Sequence, residues 1–320
     1  MSERTGTEQA LSDEALSLLG TKVFGSAVTA VTSLPESVQR KAVRVRTDDG
    51  GDYTVTENVR GNSAPVEAAL LRRLASVLPV PEPVYADDGD LLGYPILVKR
   101  FVAGQTVSSV LPTAAERDAR DIAAAVGGVL AGIGTVGFDA PGEFTDTSLR
   151  PRPSPEFDLL ALPAHVENRL NRPGAASHLD LADRRRLIEI VARDAAVLTA
   201  VRDQARLVHS DFNGKNIVVR QENRRWLVAA VLDWEFAFSG PPLTDVANHL
   251  RFPDLLPASY RNAFLDAFVA GGGVLEDDWE RLARALDMFA VVDFLAAGPE
   301  HVFFAATLDH LRAIIARGHV

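Results

Sequence analysis

Alternation of apolar and polar residues dominates the first hundred positions. "KAVRVRT" sets Val43 and Val45 between polar neighbours, "DDGG" is a turn sequence, and "DYTVTENV" alternates again, which predicts a hairpin over Lys41 to Val59. The period then changes. In "NSAPVEAALLRRLASVL" apolar residues recur every three or four positions, Ser63 stands as an N-cap and Pro65 lies in the first turn, so a helix is expected. "VPEPVYADDG" and "GYPILVKRFVAG" return to strand character. Beyond Gly104 helical spacing takes over: "PTAAERDARDIAAAVGGVLAGIG" has Thr113 and Glu116 at capping-box spacing, and a later helix repeats Leu187, Ile188, Val191 and Leu198. The Pro-rich stretch Leu149 to Phe157 reads as a loop. The pattern predicts an α+β, bilobal chain. Residues 1–103 form a small antiparallel-sheet lobe with one helix, and residues 104–320 a larger, mainly helical lobe.

The helical lobe has one strand-rich interruption. "NIVVRQENRRWLVAAVLDWEF" is two apolar runs around a polar turn, hence a hairpin. "VHSDFNGKNI", Val208 to Ile217, enters its first strand, and "LDWEFAFSGPPLTDVANHL" leaves its second. Short hairpins bring their strand ends together, so Asp211 and Asn216 are expected beside Asp233. Three short oxygen-bearing side chains at one point suit a hard cation such as Mg²⁺, which shares its oxygen ligands with substrate phosphates.

Composition narrows the field. A formal charge of -10 argues against nucleic acid as partner, and the absence of cysteine excludes thiol catalysis, disulfides and thiolate metal sites. No apolar stretch has the length of a membrane span, and the first residues lack the basic-then-apolar order of a signal peptide, so a cytoplasmic location without membrane attachment is expected. "GIGTVG", Gly132 to Gly137, matches a dinucleotide fingerprint letter for letter, but it follows a helical run rather than a strand and reads as a helix stop. His209, Ser210 and Asp211 are adjacent and cannot form a hydrolase relay.

H-x-D-x-x-x-x-N, then a hairpin, then Asp resembles the protein-kinase-like fold, and more narrowly the aminoglycoside phosphotransferase and choline kinase superfamily. The resemblance covers most of the chain. It implies that Asp211 orients or deprotonates an acceptor hydroxyl, that Asn216 and Asp233 hold Mg²⁺, and that His209 and Asp245 anchor the loop. ATP or GTP is the implied co-substrate, its adenine or guanine held by backbone groups near Arg100 and Val102, in a monomer or homodimer. Lys215 is expected to be solvated rather than phosphate-bound.

Two features depart from the family pattern. Kinase-like folds carry a strand Lys that contacts phosphates and pairs with a helix Glu. Glu67 shares the apolar face of its helix with Leu70, Leu71 and Leu74, so it needs a cation, yet Thr56 stands where the Lys is expected. Lys41, Arg44 and Arg46 on the neighbouring strand are candidate substitutes; the alternative is a catalytically impaired binding protein. The glycine-rich hairpin is also thin, with one Gly in "FGSAVTAV". As acceptor, an aminoglycoside-like antibiotic leads, with choline-, homoserine- or sugar-like metabolites as alternatives, in a pocket expected to be lined by the helical lobe, whose end carries "LEDDWERL" and "DMFAVVDF". Glu276, Asp277, Asp278 and Glu280 could receive a polycation and Trp279 could stack on a sugar or methylated amine, although an acidic first turn also stabilises a helix N-terminus by itself.

Overall fold

The computed structural model describes residues 11–320 except 35–41, 59–60, 155–157, 254–255 and 258. Its small lobe opens with helix α1 (Asp13–Leu19), followed by strands β1 (Val28–Ser33), β2 (Ala42–Thr47) and β3 (Asp52–Glu57), helix α2 (Ala64–Leu74), and strands β4 (Pro83–Asp87) and β5 (Ile96–Arg100). The five strands make one antiparallel sheet in the order β1-β2-β3-β5-β4. Lys41, the expected first residue of the hairpin, lies outside the described residues.

Period-two alternation gives this sheet two apolar faces. Val43, Val45, Tyr53, Val55, Ile96 and Val98 pack with Leu11, Ala15 and Leu19 of the α1 region. Leu97, out of phase with them, joins Leu70, Leu71 and Leu74 of α2 in the main core. Residues in phase with Leu97 therefore face α2. On β5 that residue is Lys99, and across the ladder Thr54 pairs with Lys99 and Thr56 with Leu97.

Residues 101–104 lead into the large lobe through β6 (Gln105–Thr106) and α3 (Val107–Val110). Next come α4 (Glu116–Thr135), β7 (Gly142–Phe144), β8 (Pro151–Arg152), α5 (Leu162–Leu170), α6 (Pro173–Ala176) and α7 (Leu181–Asp194). The expected capping box does not form. Thr113 sits in a short 3₁₀ turn with its hydroxyl on the Val110 carbonyl, and Ala115 takes the N-cap position of α4. "GIGT" is the last turn of α4, and the backbone leaves the helix at Val136.

The interrupting strands are β9 (Arg206–Val208), β10 (Ile217–Glu222), β11 (Arg225–Val231) and β12 (Phe238–Gly240). β10 pairs antiparallel with β11 and, on its other edge, with β6, so the interlobe segment is stitched to the hairpin. Helices α8 (Leu243–Leu250), α9 (Tyr260–Ala270), α10 (Trp279–Ala297) and α11 (Phe304–Arg317) complete the lobe. Among the described residues no helix is long and apolar enough to cross a membrane.

Candidate active site

The loop after β9 is fastened before it reaches Asp211. Val208 is buried, and Asp245, fully buried at the start of α8, accepts the backbone N–H groups of His209 (2.7 Å) and Ser210 (2.8 Å). Burial pushes the Asp245 carboxyl up to about 7, against the pull of those two donors. The His209 ring donates from Nε2 to the Leu232 carbonyl (2.7 Å) and accepts the Asp211 N–H at Nδ1 (3.2 Å), so the hydrogen bonds assign its tautomer. Burial keeps this imidazole below its ordinary value and neutral. Trp234 packs 4.5 Å from it. Ser210 takes a left-handed φ of 70° to make the turn, a conformation that side-chain-bearing residues adopt mostly at constrained sites.

The carboxylate of Asp211 is held by two amides. Asn213 donates to Oδ1 (2.7 Å) and Asn216 to Oδ2 (2.8 Å). Register in the hairpin, Ile217 opposite Val231, brings the Leu232 N–H to the Asn216 carbonyl (2.8 Å) and sets Asp233 beside it. Asp233 is itself left-handed, at φ 56°. Asp211 and Asn216, in one loop, thus meet Asp233 at one end of a hairpin.

Lys99 joins the lobes. Its ammonium lies 3.7 Å from Glu67 and 3.7 Å from Asp233, and it is 3% exposed. Glu67 also accepts from Asn58 Nδ2 (3.3 Å) and the Trp234 N–H (3.4 Å). Among the described residues the cation at Glu67 therefore comes from β5, not from the candidates Arg44 and Arg46 of β2. Arg44 does face the α2 side, but it makes a fork with Asp52 (2.8 Å from Nε) and stacks 3.8 Å over Phe101; Arg46 is exposed opposite Asp52. The Asp52 fork raises the Arg44 guanidinium and lowers the Asp52 carboxyl. Arg100 ends β5 with its side chain over Tyr53 (4.7 Å), and Val102 lies half-buried in the interlobe segment.

A cavity of about 570 Å³ opens at Asp211, Asn216 and Asp233. Its outer wall comes from the second half of α10, from His165 and Arg169 of α5, and from residues 301–303. Lys215 lines it too, 4.9 Å over the Phe303 ring rather than in open solvent. The acidic turn is not part of this wall: Asp277, Asp278, Trp279 and Glu280, expected at the acceptor site, do not line the cavity. Glu280 and Trp279 both engage Arg261, and Glu276 accepts from Gln204. Geometry explains why: from Glu280 to Asp293 the helix rises about 20 Å, so only its far half reaches the cavity.

A family model described as "Phosphotransferase enzyme family" matches residues 31–284. The chain belongs to that family. Among solved structures it is similar to a thermostable mutant of the aminoglycoside phosphotransferase APH(4)-Ia in ternary complex with AMP-PNP and hygromycin B (TM-score 0.69, 19% identity, 95% of this chain and 98% of that one). It is similar also to APH(2")-IIia with GDP and kanamycin (TM-score 0.69, 16% identity, 94% and 98%). A third is the macrolide 2'-phosphotransferase MphH from Brachybacterium faecium (TM-score 0.62, 19% identity, 96% and 96%). No curated protein matches the chain. The shared fold is the protein-kinase-like one, with its antiparallel small lobe and helical large lobe.

Within this phosphotransferase family member, the side chains missed in the sequence are Lys99 and Asn213. Lys99 left a faint trace: a Lys inside the apolar run "ILVKRF", in phase with Leu97, has its stem directed at the core. Asn213 looked like a turn residue and is one, since its own oxygen accepts the Lys215 N–H (2.9 Å).

Proposed function

We propose that the chain transfers the terminal phosphoryl group of a nucleoside triphosphate, ATP or GTP, to a hydroxyl of a small molecule. The carrying observation is Asp211, fixed by two amides at the wall of the 570 Å³ cavity, with Asn216 and Asp233 beside it. In the reaction the acceptor oxygen bonds to phosphorus as the bridging oxygen–phosphorus bond to the nucleoside diphosphate breaks. Asp211 orients the hydroxyl and takes its proton; phosphoryl transfer asks little further covalent chemistry of a protein. His209 and Asp245 keep the loop in place and touch no substrate.

The donor set fits Mg²⁺. Asn216 offers an amide oxygen and Asp233 a carboxylate at the cavity wall, hard oxygen donors of the kind Mg²⁺ takes while it keeps phosphate oxygens and water as its other ligands. A cation bound there would neutralise charge on the transferring phosphoryl group. Lys99 supplies a second positive group between Glu67 and Asp233, suited to the α/β-phosphates, and Arg100 and Val102 lie on the segment suited to the base. Thr56 was the reason to consider a binding-only protein, and Lys99 on the next strand favours turnover instead. An aminoglycoside-like acceptor and antibiotic resistance are what the resemblance alone carries. The test is phosphate transfer followed by ³¹P NMR: Asp211→Ala should lower turnover at least a thousandfold with an unchanged melting temperature, and activity within tenfold of wild type would refute the role.

A further inference from the structure

The cavity wall speaks to the acceptor's chemistry, given the phosphotransferase reading above. A polycationic sugar is recognised by free carboxylates and by open aromatic faces. Here the protein's own cations occupy both. Asp287 is gripped by Arg251 through contacts of 2.6 to 2.9 Å, with both side chains buried. Asp293 is paired with Arg169 and with His165 (3.2 Å); burial alone would raise this carboxyl, but those two partners hold it below its ordinary value. The Arg251 guanidinium also covers Phe294 (4.8 Å), as Lys215 covers Phe303.

Counting the wall apart from Asp211 and Asp233 gives three acids, Glu235, Asp287 and Asp293, against Arg169, Lys215 and Arg251. Toward the catalytic loop the uncharged lining is polar, with Ser210, Asn213, Asn216, Thr244 and Asn248, whereas the outer wall adds Leu286, Phe289, Ala290, Phe294 and Ala297, and apolar surface continues to the rim, where Phe236 and Val302 are 37% and 55% exposed. Solvent-facing apolar side chains at the mouth of a cavity gain by being covered with apolar surface. We propose that the acceptor is an uncharged hydroxyl compound with an apolar body, such as a sugar bearing an alkyl or aryl group, and not a polyamine sugar. A polycation would have to compete with Arg251 for Asp287 and with Arg169 and His165 for Asp293.

The test compares octyl and phenyl β-D-glucoside with glucose and kanamycin, using the full chain and Mg²⁺-ATP or Mg²⁺-GTP. Expected is a kcat/KM for one of the glucosides at least tenfold above those for glucose and kanamycin, lowered tenfold by Val302→Asp at the exposed rim. A kcat/KM for kanamycin equal to or above those of both glucosides overturns the proposal. Binding gives a readout free of turnover: the neutral fluorophore N-phenyl-1-naphthylamine should bind the nucleotide-loaded protein, weaken tenfold on Phe294→Asp or Val302→Asp, and resist displacement by millimolar kanamycin. Displacement by kanamycin, or binding indifferent to both substitutions, overturns it even if no compound is phosphorylated. Absent transfer with intact fluorophore binding instead counts against the phosphotransferase reading and leaves the wall chemistry standing.

Discussion

Lys99→Met removes one charge at nearly constant volume and isolates the ion triad. At 3.7 Å each contact is worth about 4 kcal/mol at an effective dielectric near 20. The Asp233 term is smaller, because that side chain is 30% exposed and screened. Glu67, wholly buried, would keep the amide donors Asn58 and Trp234 but lose its lysine, and stripping one partner from a buried pair typically costs about 3–5 kcal/mol. The expected destabilisation is therefore about 3–5 kcal/mol in urea unfolding. Loss of the phosphate-facing charge should lower kcat/KM for the nucleotide by about 10²–10³, equivalent to about 3–4 kcal/mol. The decisive variant adds Thr56→Lys to Lys99→Thr. Thr56 is opposite Leu97 and shares its face, so a lysine there also points at α2. Recovery of at least tenfold in kcat/KM is expected from the double variant. Initial rates against nucleotide at saturating acceptor measure both. A Lys99→Met enzyme within threefold of wild type, with its fold intact, would refute the reasoning and return the phosphate contact to Arg44.

His249 is buried with Nδ1 donating to the Phe212 carbonyl (3.2 Å) and Nε2 accepting from Tyr260 (2.9 Å), and burial pushes its imidazole down to about 4. The unfolded chain takes the proton near 6.5, so its stability contribution is full above that pH and lost as pH falls through about 4; between pH 7.5 and 5 the loss is about 2 kcal/mol, and His249→Gln should flatten that part of the profile. Gly61, left-handed at φ 68°, would place a Cβ 2.2 Å from the Glu235 carbonyl, beside the hydrogen bond by which Asn62 N–H meets that same oxygen (2.6 Å). Gly61→Ala should therefore lower the melting temperature by several degrees, about 2 kcal/mol, measured by calorimetry. Arg251→Leu alone should cost about 3–5 kcal/mol by stranding Asp287, while Arg251→Leu with Asp287→Leu should recover most of it in chemical unfolding, because both partners leave together.

Much of the site was legible because its signal is local or spans a single hairpin. Asp211 and Asn216 lie in one loop, and a polar turn between two apolar runs sufficed to bring Asp233 beside them. Helix ends were less legible. Thr113 and Glu116 have capping-box spacing, but the chain makes a 3₁₀ turn at Thr113 and the helix starts later, at an alanine cap. Spacing supplies the groups without fixing the backbone that must present them.

By itself the sequence determined that Glu67 faces inward and needs a cation, since helical phase alone places it with Leu70 and Leu71. Which cation answers was decided only by tertiary structure, because the β3–β5 ladder joins strands separated by a helix and a fourth strand, and no local period encodes that register. The acceptor wall was decided in the same way. The acidic turn and the segment ending at Phe294 belong to one helix, and only the packing of α10 against α5 and α8 determines which end of it closes over Asp211.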